Sequence, residues 1–504
     1  MSFARASSVA VVGMDGHPVD VEVQVVQGLP AFTVVGLPDA AIQESRERVR
    51  AAVESSGETW PKQRLTVNLS PAHLPKQGSG FDLAIALAVL AACSRISQQR
   101  LDEICAIGEL SLDGKVRRIR GVLAAVAACA ARGVRRVLVP SGNAAEAALI
   151  DGVEVIPLTA LAEAVRLLRG ECLIDAAVPP PAGAPPDHDV DLADVRGQSN
   201  AKRALMIAAA GGHNMIMTGL PGGGKTMLAR RMPTILPPLD HDEAMIVTRL
   251  YSVAGQLPPE AGMIRQRPFR APHHSISTAG LVGGGSGIPM PGEVSLAHRG
   301  VLFLDEASEF RRDALQALRQ PIEDGFVTLS RARFTVGYPS RFQLVLAANP
   351  CPCGHTGDPL KVCECAPGRI VAYKERLSGP LIDRVDLGVN VERVKRSQIF
   401  ADPGTETSTA IRASVVAARE RQRGRLAASG ITTNAEIPPG GIERTCAVTK
   451  AALAALEDVV ATYAHSMRGT HRLIRVARTI ADLEGSDRVH EGHVAEAAGF
   501  RVRL

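Results

Sequence analysis

Residues 219–226 read Gly-Leu-Pro-Gly-Gly-Gly-Lys-Thr, and no other stretch of the chain restricts its possible folds as far. The pattern is G-x-x-x-x-G-K-[ST], with a short apolar, strand-like run before it (216–218) and a helix-like run after it (227–232). Each part has a physical task. Gly219, Leu220, Pro221, Gly222, Gly223 and Gly224 form a loop whose N–H groups can curl around phosphate oxygens, with few Cβ atoms in the way. The start of the following helix adds its positive dipole end. Lys225 offers a point charge to the β- and γ-phosphates, and Thr226 offers a hydroxyl to Mg²⁺. The expected ligands are therefore ATP and Mg²⁺.

Val301-Leu302-Phe303-Leu304 is followed by Asp305-Glu306, as a buried strand that delivers two carboxylates at its C-terminal end. Asp305 is expected in the Mg²⁺ shell, and Glu306 is expected to polarise the attacking water. Alone, an acidic pair at a strand end is also what a helix cap looks like. Placed downstream of Thr226, it reads as the second half of a nucleotide site. A further apolar run, 344–349 (LVLAAN), ends in Asn349. Taken alone it is a turn asparagine; beside the other two segments it is a candidate sensor that orients the lytic water.

The 504 residues suggest three or four domains. Apolar residues make up 46% and charged residues 22%, which excludes intrinsic disorder over most of the length. One Trp, four Tyr and 11 Phe are too few for an aromatic platform under single-stranded nucleic acid, so any such contact must use charge. The net charge of +5 arises beyond residue 178 and permits a polyanionic partner without demanding one. The longest apolar run, 83–93, has 11 residues, against about 20 for a membrane span, and suggests a buried helix. The N-terminus lacks the apolar stretch of a secretory signal. Nine cysteines, an odd number with four clustered, fit a reducing cytoplasm and no disulfide framework.

Residues 1–178 alternate strand and helix patterns: strands at 19–26, 65–69 and 135–140, helices at 40–56, 81–92 and 160–168. The Pro-rich stretch 179–186 (PPPAGAPP) marks a linker, taken as 179–190. A second domain is expected over 191–390, opening with DLADVRGQ and a helix at 200–210. The third region, 391–504, carries helical patterns at 409–428, 450–464 and 470–483. No tandem repeat is evident.

Together, the two nucleotide segments, Asn349, LSGPLIDRVDL (377–387) and SMRGTHRLIRVARTIADL (466–483) resemble the magnesium-chelatase-like branch of the AAA+ ATPases. RAPHHSIS (270–277), PGEVSLAHRGVLFLDE (291–306) and NPCPCG (349–354) make the chain similar to the YifB/ComM family within it, up to about residue 485. That resemblance implies an α/β AAA+ P-loop domain with a helical lid over 391–504, preceded by an α+β, Lon-protease-like (S5-like) domain. It implies that Arg384 is an arginine finger reaching the γ-phosphate of a neighbouring subunit, and that Arg468 is the sensor-2 arginine, with Arg475 repeating the lid spacing seven residues on. An arginine acting in trans implies a ring of identical subunits, and AAA+ relatives suggest a hexamer. In the N-terminal domain, the Lon pattern would put its serine nucleophile at Gly80, beside Ser79, and its lysine base near Val122 or Leu123. No intact Ser/Lys dyad is therefore expected, and the domain is read as a non-proteolytic element for assembly or substrate contact.

Cys351-x-Cys353 and Cys363-x-Cys365 could close a structural Zn²⁺ site, with His355 as the nearest spare ligand. One residue between paired ligands is fewer than usual, and reduced thiols in a loop, or a redox role, are the other readings. The insertions between the nucleotide segments bear Arg265, Arg267, Arg270, His273, His274 and a glycine stretch at 283–287. A hairpin pattern at 327–336 bears Arg331 and Arg333. In the chelatase-like branch such insertions face the ring's channel, where arginines suit phosphate contacts; the plainer reading pairs them with local acids. The function implied is an ATP-driven, ring-forming motor on single-stranded or branched DNA, of the branch-migration helicase type that serves natural transformation. A remodelling ATPase acting on protein and a magnesium-chelatase motor subunit are the alternatives, although the D-x-S-x-S metal motif of the chelatase partner is absent. Cytoplasmic location and no membrane partner are expected.

Overall fold

In a computed structural model of the chain the described residues are 2–36, 38–181, 189–258, 261–285, 287–331, 334–377, 379, 381–394, 406–463 and 466–502. The N-terminal part is built on a seven-stranded mixed sheet, in the order Ala31–Val35, Arg64–Ser70, Asp15–Val26, Ser2–Val12, Ile104–Ala106, Arg136–Pro140, Glu154–Leu158. The alternation in Asp15–Val26 explains its place: Val19, Val21, Val23 and Val25 all fall on one face and are buried. The apolar run at 83–93 becomes the helix Asp82–Ala92, which packs on the strands Ser2–Val12 and Asp15–Val26 and is buried on every side. The helix expected over 40–56 is interrupted: Ala40–Gln43 and Ser45–Ser55 are separate. Arg48 explains the break, because its guanidinium takes the carbonyl of Ala41 (2.9 Å), the acceptor that the Ser45 N–H would use in a continuous helix.

Val122–Ala131 is a helix whose first residues, Val122 and Leu123, are fully buried. Ser79 donates its hydroxyl hydrogen bond to the Glu109 carboxylate, and the buried Lys76 ammonium is held by the carbonyls of Gly36 (3.1 Å) and Pro71. These are the surroundings of the positions that the Lon resemblance singled out.

Residues 182–188 of the expected linker lie outside the described residues. Asp191 opens the second part. Its carboxylate accepts from the N–H groups of Ala193 (2.8 Å) and Ser408 (3.0 Å), tying the chain start to the distant helix Ser408–Leu426. The central sheet is five-stranded and parallel, in the order Phe269–Arg270, Val301–Leu304, Gln343–Ala348, Met215–Thr218, Leu387–Asn390. Near-continuous apolar runs such as VLFL and QLVLAA suit strands covered on both faces. One face is covered by Ser199–Gly211, Lys225–Ile235 and the C-terminal helices Ser408–Leu426, Met467–Glu484 and Glu491–Gly499.

Among the described residues, the N-terminal part rests on the insertions of the second part. Ala124 packs with Leu250 and Val253 of the helix His241–Ala254, and with Val336 and Tyr338 of the hairpin Phe326–Arg331/Phe334–Pro339. Polar ties flank this seam: the Gly121 N–H donates to Ser252 O (3.1 Å), and the Ile288 N–H donates to Gln77 Oε1 (2.8 Å).

Candidate nucleotide-binding site

Three strands deliver the site, and their order sets its geometry. Met215–Thr218 runs into the glycine loop, Val301–Leu304 runs into Asp305-Glu306, and Gln343–Ala348 lies between them and ends at Asn349. All are parallel, so their C-terminal ends open at one edge, where open α/β sheets bind ligands.

The loop is shaped as a cradle. Gly222 (φ +76°) and Gly224 (φ +95°) lie in the left-handed region, and a Cβ on either would point into open space. That space is where a phosphate chain can approach the backbone. Gln198 braces the loop from outside, donating from Nε2 to Gly223 O (3.1 Å) and Glu392 O (2.5 Å); nothing in its sequence surroundings signalled this. Lys225, the first residue of the helix Lys225–Ile235, is buried and donates to Gly219 O (2.7 Å), Leu220 O (3.1 Å) and Asn349 Oδ1 (3.0 Å). Burial lowers its ammonium from the ordinary lysine range, against the pull of Asp305 and Glu306. Thr226 Oγ1 donates to Asp305 Oδ2 at 2.6 Å. A hydroxyl and a carboxylate at one point beside a phosphate cradle form the oxygen-donor set that suits Mg²⁺.

Glu306 sits in the left-handed region (φ +50°), its N–H bonded to Asp305 Oδ1 (3.0 Å) and its carboxylate half-exposed at the rim. His274 Nδ1 lies 3.7 Å from Glu306 Oε2, and this partner was not foreseen. The RAPHHSIS segment therefore divides: His274 reaches the acidic strand end, while His273 turns to Ser275 Oγ (2.8 Å).

Arg384 and Arg468 are placed elsewhere, and together. Both donate to the Glu323 carboxylate, Arg468 at 3.3 Å. They line a broad cleft of about 990 Å³ with Arg472 and Arg475. The cleft is also lined by Asn214, Gly300, Gln343 and Asp386, which stand at the N-terminal ends of the sheet strands. The glycine loop, Asp305 and Asn349 stand at the C-terminal ends. Four residues of strand separate the two edges by about 13 Å before any loop is counted. Glu323, which joins the two arginines, carries no sequence signal of its own.

The insertions correct part of the expected basic surface. Arg267 is enclosed by Glu243 (2.9 Å), Pro237 O (2.6 Å) and Arg299 O (2.7 Å), and Arg270 makes a two-bonded pair with Glu293 (both 2.6 Å). Local acids hold both arginines in place, so neither is a loose phosphate contact. Arg331 is exposed at the hairpin and lies against Gly284 of the other insertion, so the two insertions meet. Arg333 lies outside the described residues.

Cys351, Cys353, Cys363 and Cys365 bring their sulfurs within 4.8 Å of one another, an arrangement that could hold a metal ion. His355 is not in that group; its Nδ1 lies 3.4 Å from Asp358. Burial alone would raise the Cys351 thiol. Bonds from Thr356 and the neighbouring thiols outweigh it, and the group falls to about 6.

Similarity to known proteins extends over the whole chain. Family models described as "Subunit ChlI of Mg-chelatase", "Magnesium chelatase, subunit ChlI" and "Magnesium chelatase, subunit ChlI C-terminal" match residues 21–143, 191–399 and 405–501. An uncharacterised protein of Mycobacterium tuberculosis is 48% identical over 501 residues, 99% of each chain. The protein YifB of Escherichia coli is 41% identical over 506 residues, covering 100% of this chain and 97% of its own. The competence protein ComM of Haemophilus influenzae is 41% identical over 515 residues, covering 100% and 98%.

Proposed function

The chain belongs to the YifB/ComM family of magnesium-chelatase-like AAA+ proteins, and from that premise we propose that it is an ATP-hydrolysing, ring-forming DNA motor of the branch-migration helicase type. The observation that carries this reading is the division of the arginines from the phosphate loop. Arg384 and Arg468 share Glu323 at one edge of the sheet, and Lys225, Thr226, Asp305 and Asn349 lie at the other. Within one subunit the two sets are too far apart to meet on one nucleotide. Between two subunits stacked edge to edge they would meet, and repetition whose rotation closes would give a ring.

In this reading Gly219 to Gly224 enclose the phosphates with backbone N–H groups, and Lys225 turns from the carbonyls of Gly219 and Leu220 toward the β- and γ-phosphates. Thr226 and Asp305 would hold Mg²⁺, which neutralises phosphate charge. Glu306 holds the attacking water, and His274 beside it limits where the carboxylate can point. Asn349 acts as the sensor because it shares Lys225: when the ammonium turns to phosphate, the Asn349 carbonyl oxygen is freed for water. Arg384 and Arg468 leave Glu323 for the neighbour's γ-phosphate, and the helices beyond residue 391 serve as the lid that carries Arg468. An arginine finger of this kind contributes about 10³–10⁵ in rate.

The insertions supply the contact with DNA. Arg331 and Gly284 meet at one place, and an exposed arginine beside such a loop suits a sequence-independent grip on phosphates. The ComM name of one relative brings competence, and with it DNA uptake and recombination, into the reading. Strand exchange on a synthetic four-way junction tests it. The wild type should migrate the branch, with ATPase stimulated by the junction in a salt-sensitive manner; Lys225→Ala and Glu306→Gln should abolish both. Stimulation by unfolded protein or a porphyrin precursor, with no response to DNA, would replace this reading with the remodelling or the chelatase alternative.

A further inference from the structure

The loop leaving the Asn349 strand carries four cysteines that the hydrolytic scheme does not use. Their Sγ atoms are 3.4 Å apart for Cys351 and Cys353, 3.7 Å for Cys351 and Cys363, and 3.6 Å for Cys353 and Cys363. Cys365 completes the group within 4.8 Å. A disulfide needs about 2.05 Å, so these are not bonded pairs. Four sulfurs each about 2.3 Å from one tetrahedral ion form edges of about 3.8 Å, which the three separations approach. A cluster of several irons spreads its thiolates further apart than a single ion does.

The surroundings also suit a single ion. The Thr356 N–H donates to Cys351 Sγ (3.3 Å) and its hydroxyl donates to Cys363 Sγ (3.1 Å). Such outer bonds orient thiolate ligands and disperse their charge. The Cys-Pro-Cys-Gly turn is closed by Gly354 N–H to Cys351 O (2.9 Å). Gly354 has φ +81°, and a Cβ there would lie 2.4 Å from Pro221 Cγ in the phosphate loop. The cysteine loop therefore rests on the phosphate loop at a point where only glycine fits.

We propose that Cys351, Cys353, Cys363 and Cys365 hold one zinc ion as thiolates, and that the closed knuckle braces the phosphate loop through Gly354 and Pro221. The bracing, though not the metal site, rests on residues 219–226 being the nucleotide site. The metal-binding turn at 351–354, so close to Asn349, then fixes the end of its strand and the back of the loop at once.

The test uses the full chain purified without chelator. Elemental analysis should find about one zinc per chain. Growth with cobalt should give the visible absorption of a tetrahedral cobalt–thiolate centre. The double variant Cys363→Ser/Cys365→Ser should lose the metal; if it does not fold, release of one zinc from the wild type as a mercurial titrates its accessible thiols replaces that arm. Less than a tenth of an ion per chain, iron with acid-labile sulfide, or zinc retained by the double variant would overturn the site. Gly354→Val should keep its zinc and bind a fluorescent ATP analogue at least about fivefold more weakly, roughly 1 kcal/mol. Unchanged affinity would overturn the brace and leave the metal site standing. Failure of the wild type to bind any nucleotide would remove the nucleotide reading, and with it the brace, without touching the zinc count.

Discussion

Lys225 directs its three donors at Gly219, Leu220 and Asn349, so its position depends on whether Asn349 offers a neutral oxygen or a charged one. Asn349→Asp would turn that 3.0 Å contact into an ion pair that competes with phosphate for the ammonium. A hydrogen bond to a charged group is worth about 1.5–3 kcal/mol, so the KM for ATP should rise by at least about tenfold. Steady-state kinetics against ATP concentration checks this; an unchanged KM would separate Asn349 from nucleotide binding. A second residue sets a pH limit. His298 is buried and its Nδ1 accepts from the Arg341 N–H (3.0 Å). Burial, then the charges of Arg299, Arg341 and Arg267, push it down to about 3. A base whose folded value lies below its unfolded value is held neutral by the fold. Its contribution is complete above about pH 6.5 and is lost as pH falls from there toward 3, at up to about 1.4 kcal/mol per unit. Melting temperature against pH should therefore decline from about 6.5 in the wild type, and less steeply in His298→Gln.

At the scale of elements, the C-terminal helices are fastened by one buried carboxylate. Asp482, on Met467–Glu484, accepts from Arg425 on Ser408–Leu426 through both oxygens (2.7 Å each). It also accepts from Arg478 (2.8 Å) and from Asn434 Nδ2 (2.8 Å). Arg478 is completely enclosed, so removing its counter-ion leaves a charge with no route to water. Asp482→Ala should cost about 3–5 kcal/mol in chemical denaturation, and Asp482→Asn less. The cost should appear as loosened C-terminal helices, read by hydrogen exchange over 408–426 and 467–484.

For the whole molecule, the two edges of the parallel sheet predict a complementation. On the proposed ring, Arg384→Ala would leave a phosphate loop without a finger to offer its neighbour, and Lys225→Ala would leave a finger without a working loop. Each should be inactive alone. An equal mixture should recover about a quarter of the wild-type turnover, because about one subunit boundary in four then joins an intact loop to an intact arginine. Turnover that persists in Arg384→Ala alone would remove the ring. The N-terminal part belongs to the same scale. Its helix Val122–Ala131 sits on the insertion helix His241–Ala254 and on the hairpin that carries Arg331, so a movement of either insertion is felt across that seam.

Short-range chemistry was legible in the order of residues. The glycines of 219–224 must follow a strand and precede a helix for their N–H groups to converge, and Met215–Thr218 and Lys225–Ile235 stand there. VDVEVQVV alternates because one face of its strand is buried, and the 83–93 run is apolar all round because its helix is enclosed. These patterns are local, with periods of two and 3.6 residues. Everything that depends on partners far along the chain was decided by tertiary structure. Arg48 breaks a helix by capturing Ala41, and Glu243 and Glu293 immobilise two arginines that the sequence left open between phosphate contact and pairing with local acids. Glu323 gathers Arg384 and Arg468 at the sheet edge remote from Lys225. A residue's type fixes what it can donate or accept, but which acceptor lies within 3 Å is set by how strands and helices stack, and that is written in no single segment.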